Sequence, residues 1–316
     1  MSEAHLQSRA KPNVDTWGAL INGDFRPAAS GKTFPTFNPG NGEIIAYLAE
    51  SDEEDVEAAV RAALAAFPAW KRRPGAARAK LLIKLAQLVE ANAAKLAELE
   101  SLNAGKPIRD SKAIDAVTAV DALEYFAGMA TKIQGDTIPV PGPYVNMTLR
   151  EPLGVIGGII PWNYPLLQAV WKIVPAIVAG NTVVLKPAEQ ACLSVMYLGR
   201  LVAEAGIPAG VVNIVPGYGA VAGAALVAHH MVAKVMVHRQ YGDWKAYRRR
   251  GGQYAQARRP RTRWKERSDR LRGRSNRPSG ATCDNGHLQQ SRANLHGRLA
   301  PVPARKDPRQ GPRKGG

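Results

Sequence analysis

The sequence predicts an α/β fold in which a parallel sheet carries helices on both faces. Between residues 154 and 237, strand-length apolar runs alternate with helix-length segments. Gly154-Val-Ile-Gly-Gly-Ile-Ile, Asn181-Thr-Val-Val-Leu, Val211-Val-Asn-Ile-Val and Lys234-Val-Met-Val read as strands. Leu166 to Ala179, Ser194 to Ala205 and Ala220 to His229 read as helices between them. Crossovers of that length join parallel strands and place the helices on the sheet faces. The second observation is charge. The chain of 316 residues has a formal net charge of +17, yet residues 1 to 235 hold 21 basic and 21 acidic side chains. The third is apolar content, just over half of those first 235 residues, which suffices for a sizeable core.

Each element follows from local pattern. Residues 1 to 15 are polar and read as disordered. Ala19-Leu-Ile, the turn at Asn22-Gly23-Asp24, and Phe37-Asn38-Pro39-Gly40-Asn41-Gly42 followed by Glu43-Ile-Ile-Ala-Tyr-Leu read as hairpins, because Asn-Gly pairs adopt the tight turns that join antiparallel strands. Ser51-Asp-Glu-Glu is an N-cap with acids in the first turn, and Val56, Val60, Ala63 and Leu64 continue the apolar face. Helices follow at about Pro74 to Asn92 and Ala93 to Asn103, then Gly105-Lys106-Pro107 breaks the pattern and Ile108 to Ile133 reads as one amphipathic helix. Pro139, Pro141 and Pro143 interrupt regular structure, and Tyr144 to Glu151 reads as an edge strand.

The last 81 residues differ in kind. They hold 22 basic and 5 acidic residues and only 20 of the apolar class, with no Ile and no Phe. Such a segment cannot bury enough surface to offset the entropy of ordering its backbone, so 236 to 316 is expected to be a disordered Arg/Pro/Gly-rich tail. Two cysteines, Cys192 and Cys283, form no disulfide framework and no metal-ligand pair. The N-terminus lacks an apolar signal core and no run of 18 apolar residues occurs, so the expectation is a cytoplasmic protein with no membrane partner.

Ligands of such sheets bind outside the carboxyl ends of the strands, which directs attention to residues 160 to 163, 186 to 189 and 216 to 219. Lys186-Pro187-Ala188-Glu189 ends the second strand. A Lys and a Glu three apart there can hold the two hydroxyls of a ribose, or form a surface ion pair. Gly219 and Gly223, at the start of the short helix, allow a pyrophosphate to approach a helix N-terminus, or merely start the helix. Asn163, in Pro161-Trp162-Asn163-Tyr164-Pro165, either donates its amide to a developing oxyanion or caps the following helix. Lys172, in an otherwise apolar helix, either tunes a proton path from a buried position or snorkels to the surface.

The run Pro152-Leu-Gly-Val-Ile-Gly-Gly-Ile-Ile-Pro-Trp-Asn-Tyr-Pro-Leu, then Ala179-Gly-Asn-Thr-Val-Val-Leu-Lys-Pro-Ala-Glu-Gln, then Gly206-Ile-Pro-Ala-Gly-Val-Val-Asn-Ile-Val-Pro-Gly, closely resembles the NAD(P)-dependent aldehyde dehydrogenase superfamily. Asn38-Pro39, Trp70 and Leu102-Asn-Ala-Gly-Lys-Pro extend the resemblance, which covers Trp17 to Val235. It implies an incomplete Rossmann-like cofactor domain over residues 16 to 235, with an oligomerisation segment at about 137 to 151, and the style of Tyr144 to Glu151 leans toward the betaine-aldehyde and aminobutyraldehyde branches. It implies that Lys186 and Glu189, with Pro187 and Ala188 between them, hold the adenosine ribose. Ile160, Pro161 and Trp162 would line the nicotinamide side, and Gly219 and Gly223 would face adenine and pyrophosphate. Asn163 would donate to the thiohemiacetal oxyanion, and Lys172 is the candidate relay residue. Glu189 favours NAD over NADP, because a 2′-phosphate meets a like charge. An aldehyde substrate and a homo-oligomer are implied with these roles.

The mechanism of that superfamily needs a cysteine nucleophile and a glutamate base. Phe-Thr-Gly-Ser, Glu-Leu-Gly-Gly-Lys and Gly-Gln-x-Cys are expected beyond the fourth strand, and none is present. Cys192, Cys283 and Glu266 do not stand in those motifs. Read one nucleotide forward, permitted codons for Val237 to Gln240 give Phe-Thr-Gly-Ser. Those for Arg261 to Arg267 give Glu-Leu-Gly-Gly-Lys-Ser, and those for Leu288 to Ala300 give a segment containing Gly-Gln-Ile-Cys. Three motifs in order at one offset indicate that the chain leaves the family frame near residues 235 to 237. The missing cysteine codon then straddles Leu295 and His296, and the missing glutamate codon Arg261 and Thr262. The expectation is a chain without dehydrogenase activity and with an open sheet edge. Two other readings compete: a nucleic-acid-binding tail built on Arg248 to Arg250, Tyr254 and Trp264, for which out-of-frame translation is the simpler source, and a catalytically silent oligomerisation partner.

Overall fold

The structure, a computed structural model, describes residues 14–237. The tail from 238 onward, with Cys283, Glu266 and the Arg-rich runs, lies outside the described residues, as do residues 1 to 13.

The strands are β1 (Thr16–Trp17), β2 (Ala19–Ile21), β3 (Asp24–Arg26), β4 (Thr33–Phe37), β5 (Ile44–Ala49), β6 (Thr137–Ile138), β7 (Asn146–Met147), β8 (Val155–Ile159), β9 (Thr182–Lys186), β10 (Val212–Ile214) and β11 (Val232–Val237). The helices are α1 (Glu53–Arg72), α2 (Gly75–Ala91), α3 (Ala93–Ala104), α4 (Ile108–Asp110), α5 (Ala116–Met129), α6 (Pro165–Val178), α7 (Leu193–Glu204) and α8 (Ala224–Ala228).

The main sheet has the order β11-β8-β9-β10-β2-β3. Its first four strands are parallel, as the crossover lengths require, and the β2–β3 hairpin closes one edge antiparallel. The hairpin turns at Asn22, whose φ of 55° is the one left-handed non-glycine backbone among the described residues. Alternation along the strands sorts side chains to opposite faces. Ile156, Val183, Leu185, Val212 and Ile214 pack with α6 and α7, and α2 and α5 lie beyond them. Val155, Ile159 and Val184 pack instead against Val56, Ala59, Val60 and Ala63 of α1 and Leu226 of α8. The α/β reading with helices on both faces therefore holds. A smaller sheet, β1-β5-β4, contains the second expected hairpin.

Four local expectations are corrected. The cap of α1 is Asp52, not Ser51; its carboxylate accepts from the Glu54 and Asp55 amides, and Asp55 reciprocates at the Asp52 amide. The segment read as one helix from Ile108 contains a π-helical turn, Ser111–Asp115, and its helix ends at Met129. A second π-helical turn, Gly219–Gly223, replaces the start of the helix expected from Ala220. Tyr144 to Glu151 is no edge strand of the main sheet: only Asn146–Met147 is extended, and it pairs with Thr137–Ile138 in a separate exposed ribbon.

Two helices begin without caps of their own. Neither α6 nor α7 has a side-chain N-cap bond from its flanking residue. Both borrow from α3. Glu100, whose side chain is 0% exposed, accepts from the Leu166 amide at 2.9 Å and from the Ser194 hydroxyl at 2.6 Å. One turn on, Asn103 accepts from the Cys192 and Leu193 amides at 2.9 and 3.0 Å. The C-terminal ends of α6 and α1 are braced similarly. Buried Arg78 donates from Nε to the Val178 carbonyl that ends α6 and from Nη1 to the Arg73 carbonyl that follows α1. Trp70 Nε1 donates to the Ile177 carbonyl at 3.0 Å. A cation at two helix C-termini satisfies carbonyls that otherwise have no partner and opposes the dipole of each helix.

Asn103→Leu strands two buried amide donors and is expected to cost about 3 kcal/mol or more. Arg78→Met orphans the buried Val178 carbonyl and the part-buried Arg73 carbonyl and is expected to cost roughly 2 kcal/mol. Urea unfolding midpoints at constant slope measure both, and equal midpoints for Asn103→Leu and the parent would remove the capping role.

Candidate functional site

The carboxyl ends of β8, β9 and β10 are drawn together by their own backbones. The Ile160 amide donates to the Lys186 carbonyl at 3.2 Å, and the Val215 amide to the Leu185 carbonyl at 2.9 Å. The loops leaving the three strands therefore rise side by side, and the sequence-selected positions meet there.

Lys186 is 2% exposed at the last position of β9. Its ammonium donates to Glu189 Oε2 at 2.6 Å. The Glu189 side chain is 29% exposed, so one face of the carboxylate reaches the crevice. Burial raises its pKa, but the Lys186 charge and hydrogen bond, with donation from backbone amides including that of Gly219, outweigh this and hold it below the ordinary value. Lys186, Glu189 and Gly219 thus form one cluster, joining the end of β9 to the π-turn after β10. The ion pair of the alternative reading is present, with its lysine buried rather than at the surface. Pro187 and Ala188 are buried beneath the cluster, Gly219 is half-buried and Gly223 is buried.

On the β8 side, Ile160 is buried and Pro161 half-buried, while Trp162 is 55% exposed. Asn163 is exposed and does not cap α6: the N-cap position belongs to Tyr164, which makes no side-chain cap bond. The Asn163 amide is left available to a ligand. Its neighbour Tyr164 is held by Lys106, whose ammonium sits 3.8 Å from the ring centroid and donates to both oxygens of Asp115 at 2.8 and 3.0 Å and to Glu100 at 3.4 Å. Burial raises the Glu100 pKa against the lowering effects of Ser194, Lys106 and the Leu166 amide.

Lys172 departs from the snorkelling alternative. It is 6% exposed, donates to Gln168 Oε1 at 3.1 Å, and lies against Gly158 of β8. Burial lowers its pKa to about 8. A Cβ at Gly158 would clash with Leu185 Cδ1 at 2.7 Å, whereas Lys172 Cδ at 3.5 Å would stay in ordinary contact. Cys192 is fully buried, its thiol donates to the Ala188 carbonyl at 2.8 Å, and burial pushes its pKa up to about 12. A thiol so placed is inert as a nucleophile, which agrees with leaving it outside the catalytic set. No group of three or more potential metal ligands occurs among the described residues, and no described helix is long and apolar enough to cross a membrane.

Residue-by-residue reading missed Glu100, Asn103 and Lys106, the supports of both loops. Their one local signal is a polar pair three apart, Glu100 and Asn103, inside a helix whose other buried positions are Leu96, Ala97 and Leu99. That spacing places both on one helix face.

This geometry has close counterparts. The chain is 46% identical over 240 residues to Retinal dehydrogenase 2 of Homo sapiens, an alignment covering 74% of this chain and 46% of that protein. It is 48% identical over 228 residues to the mitochondrial aldehyde dehydrogenase of Homo sapiens, covering 71% and 44%. The chain spans about half the length of the curated relatives it matches. Among solved structures, the NAD+ complex of aldehyde dehydrogenase from Bacillus cereus superposes with a TM-score of 0.74 at 45% identity, covering 75% of this chain and 49% of that one. The model of the Aldehyde dehydrogenase family matches residues 25–238. The chain belongs to the aldehyde dehydrogenase family.

Proposed function

We propose that residues 16 to 235 are the NAD(P)+-binding part of an enzyme that oxidises an aldehyde to a carboxylic acid, and that the chain as written binds cofactor without completing the reaction. The observation that carries the cofactor reading is the Lys186–Glu189–Gly219 cluster at the carboxyl end of β9. A buried ammonium fixes a half-exposed carboxylate, which is the acceptor a pair of ribose hydroxyls requires. The residues fit the group. An ionised Glu189 repels a 2′-phosphate and so favours NAD. That the similar Bacillus cereus enzyme was crystallised with NAD+ supports this choice.

Bound NAD(P)+ supplies the hydride acceptor. The chain would supply the rest of the first half-site: Ile160, Pro161 and Trp162 would line the nicotinamide side, and Glu189 would hold the ribose. Asn163, free of any cap, is placed to donate to an oxyanion. Lys172 can exchange a proton near neutral pH, since its pKa is about 8. The attacking thiolate and the water-activating carboxylate have no counterpart in this chain. Cys192 is sealed in the core, and the three motifs appear only in the shifted frame. The family match ending at residue 238 supports loss of frame at 235 to 237. At the level of branch, Tyr144 to Glu151 leans to betaine-aldehyde and aminobutyraldehyde enzymes, whereas the relatives named above act as retinal and mitochondrial aldehyde dehydrogenases by name. The β6–β7 ribbon, with Tyr144, Val145 and Leu149 each more than 70% exposed, suits assembly with further copies.

The purified chain is expected to yield no NADH from acetaldehyde, retinal or betaine aldehyde. Turnover above the no-enzyme rate overturns the inactive reading, and an unbroken verified reading frame across codons 234 to 240, with no one-base change that restores the motifs, overturns the frame-loss reading.

Calorimetric titration with NAD+ tests the cofactor reading separately. Glu189→Gln is expected to weaken binding roughly tenfold, the loss of one charge-assisted hydrogen bond of about 1.4 kcal/mol. An affinity unchanged by Glu189→Gln would place the ribose elsewhere.

A further inference from the structure

Strand β11 differs from its parallel neighbours in burial. β8, β9 and β10 are buried at every position. β11, Val232-Ala-Lys-Val-Met-Val, is buried at none: Val232, Val235, Met236 and Val237 are half-buried, and Ala233 and Lys234 are exposed. Its place in the sheet explains this. β11 pairs with β8 from Val232 opposite Val155 to Val237 opposite Ile159, and among the described residues no strand pairs its other edge. Both faces of the strand are seated. Met236 packs against the core that includes α6 and α7, and Val232 and Val237 against the core that includes α1 and α8. What β11 lacks is a neighbour in the plane of the sheet. Met231, just before the strand and 44% exposed, extends its apolar surface.

Composition and symmetry narrow the choice of neighbour. Strands that pair with an apolar edge are built of β-branched and aromatic residues. Residues 236 to 316 hold 22 basic side chains, 20 apolar ones and no Ile or Phe, which suits them poorly to that place. The opposite edge strand, β3, is three residues long, exposed throughout, and carries Asp24 and Arg26. Pairing β11 of one copy with β3 of the next would also be head-to-tail and would not close. A second β11 matches the first in length and polarity, and two copies close on each other.

We propose that β11 pairs antiparallel with β11 of a second copy of this chain, about a two-fold axis perpendicular to the sheet. Such an axis carries each core face onto the same face of the other copy. It also permits a register in which Val235 lies opposite Val235. Lys234 then lies opposite Met236, and its stem can cover that side chain. The neighbouring register, with Lys234 opposite Lys234, sets like charges against each other and is disfavoured. The basic tails do not forbid the pair. Val237 of each copy falls opposite Ala233 of the other, so the tails leave in opposite directions, about 13 Å apart along the strands. That exceeds the Debye length of about 8 Å at physiological salt. The inference does not rest on the cofactor reading.

Sedimentation velocity on the full chain tests it. Leu149→Glu charges the exposed β6–β7 ribbon and so isolates the β11 seam. This variant is expected to form a dimer that dissociates on dilution. Adding Val235→Lys is expected to weaken self-association at least roughly tenfold. A second arm holds if Val235→Lys fails to fold. In a chain carrying Leu149→Glu and Cys283→Ser, Val235→Cys is expected to link two copies through position 235 on mild oxidation, since directly opposed residues lie within disulfide reach. Phe25→Cys on β3, in the same background, is expected not to link. A Leu149→Glu chain that stays monomeric at 100 μM would sink the proposal, including one whose β11 amides resist hydrogen exchange, which would put the tail on the edge. Val235→Lys associating like its parent, or Phe25→Cys linking as readily as Val235→Cys, would also overturn it.

Discussion

The crevice depends on acceptors that one helix lends to two others. α6 and α7 carry the loops on either side of the site, and the first turn of each presents amide donors that its own flanking residues leave unmet. Glu100 and Asn103 of α3 meet them from a distance of 66 to 90 residues in sequence. A carboxylate buried at 0% exposure is costly, and burial alone would favour its neutral form. Lys106 offsets that cost while its charge is shared with Asp115, and the same ammonium rests on the Tyr164 ring. One cation therefore connects the core beneath α6 to the residue that follows Asn163. The position of the exposed amide is set by buried electrostatics on a different helix.

The two cations of the crevice show how burial with and without a partner leads to different chemistry. Lys186 has a carboxylate at 2.6 Å, and its charge and hydrogen bond hold the Glu189 pKa below the ordinary carboxylate value. Lys172 has only the neutral Gln168 oxygen, and burial brings its pKa down to about 8. The first arrangement suits a fixed charge that orients a ligand. The second suits a group that gains and loses a proton under ordinary conditions. Both sit on the same strand-end platform, Lys186 at the end of β9 and Lys172 against Gly158 of β8.

Much of this was legible along the chain, and what was not is non-local. The alternation of strand and helix after residue 154 dictated four parallel strands, and the Asn-Gly turns dictated both hairpins. Lys186, Glu189 and Gly219 could be selected from strand ends alone, because topology places carboxyl ends together. Lys172 could not be placed from its helix, since an apolar helix with one lysine reads the same whether one face or both are covered. Twelve of the fourteen residues of α6 are buried, Lys172 among them, so both faces of the helix are covered. The caps from α3, the π-helical turns and the pairing of β5 with β1 depend on partners far away in sequence, and no local periodicity encodes them.

The sheet itself shows why charge and chemistry change at the same place. One edge is closed by β3, a short strand carrying Asp24 and Arg26 that discourages further pairing. The other described edge is β11, whose residues Val232, Val235, Met236 and Val237 are half-buried rather than sealed. An apolar parallel strand in that condition is an interior strand awaiting a neighbour and a covering helix, since parallel sheets are buried on both faces. The composition that could supply such a neighbour ends with this strand: past residue 235 the chain holds 22 basic residues against 5 acidic and no Ile or Phe. On the reading proposed above, the excess charge of +17, the half-buried β11 and the missing nucleophile follow from one change of frame near residue 236. Lys186, Glu189 and Gly219, on which the proposed cofactor site rests, all lie before that point.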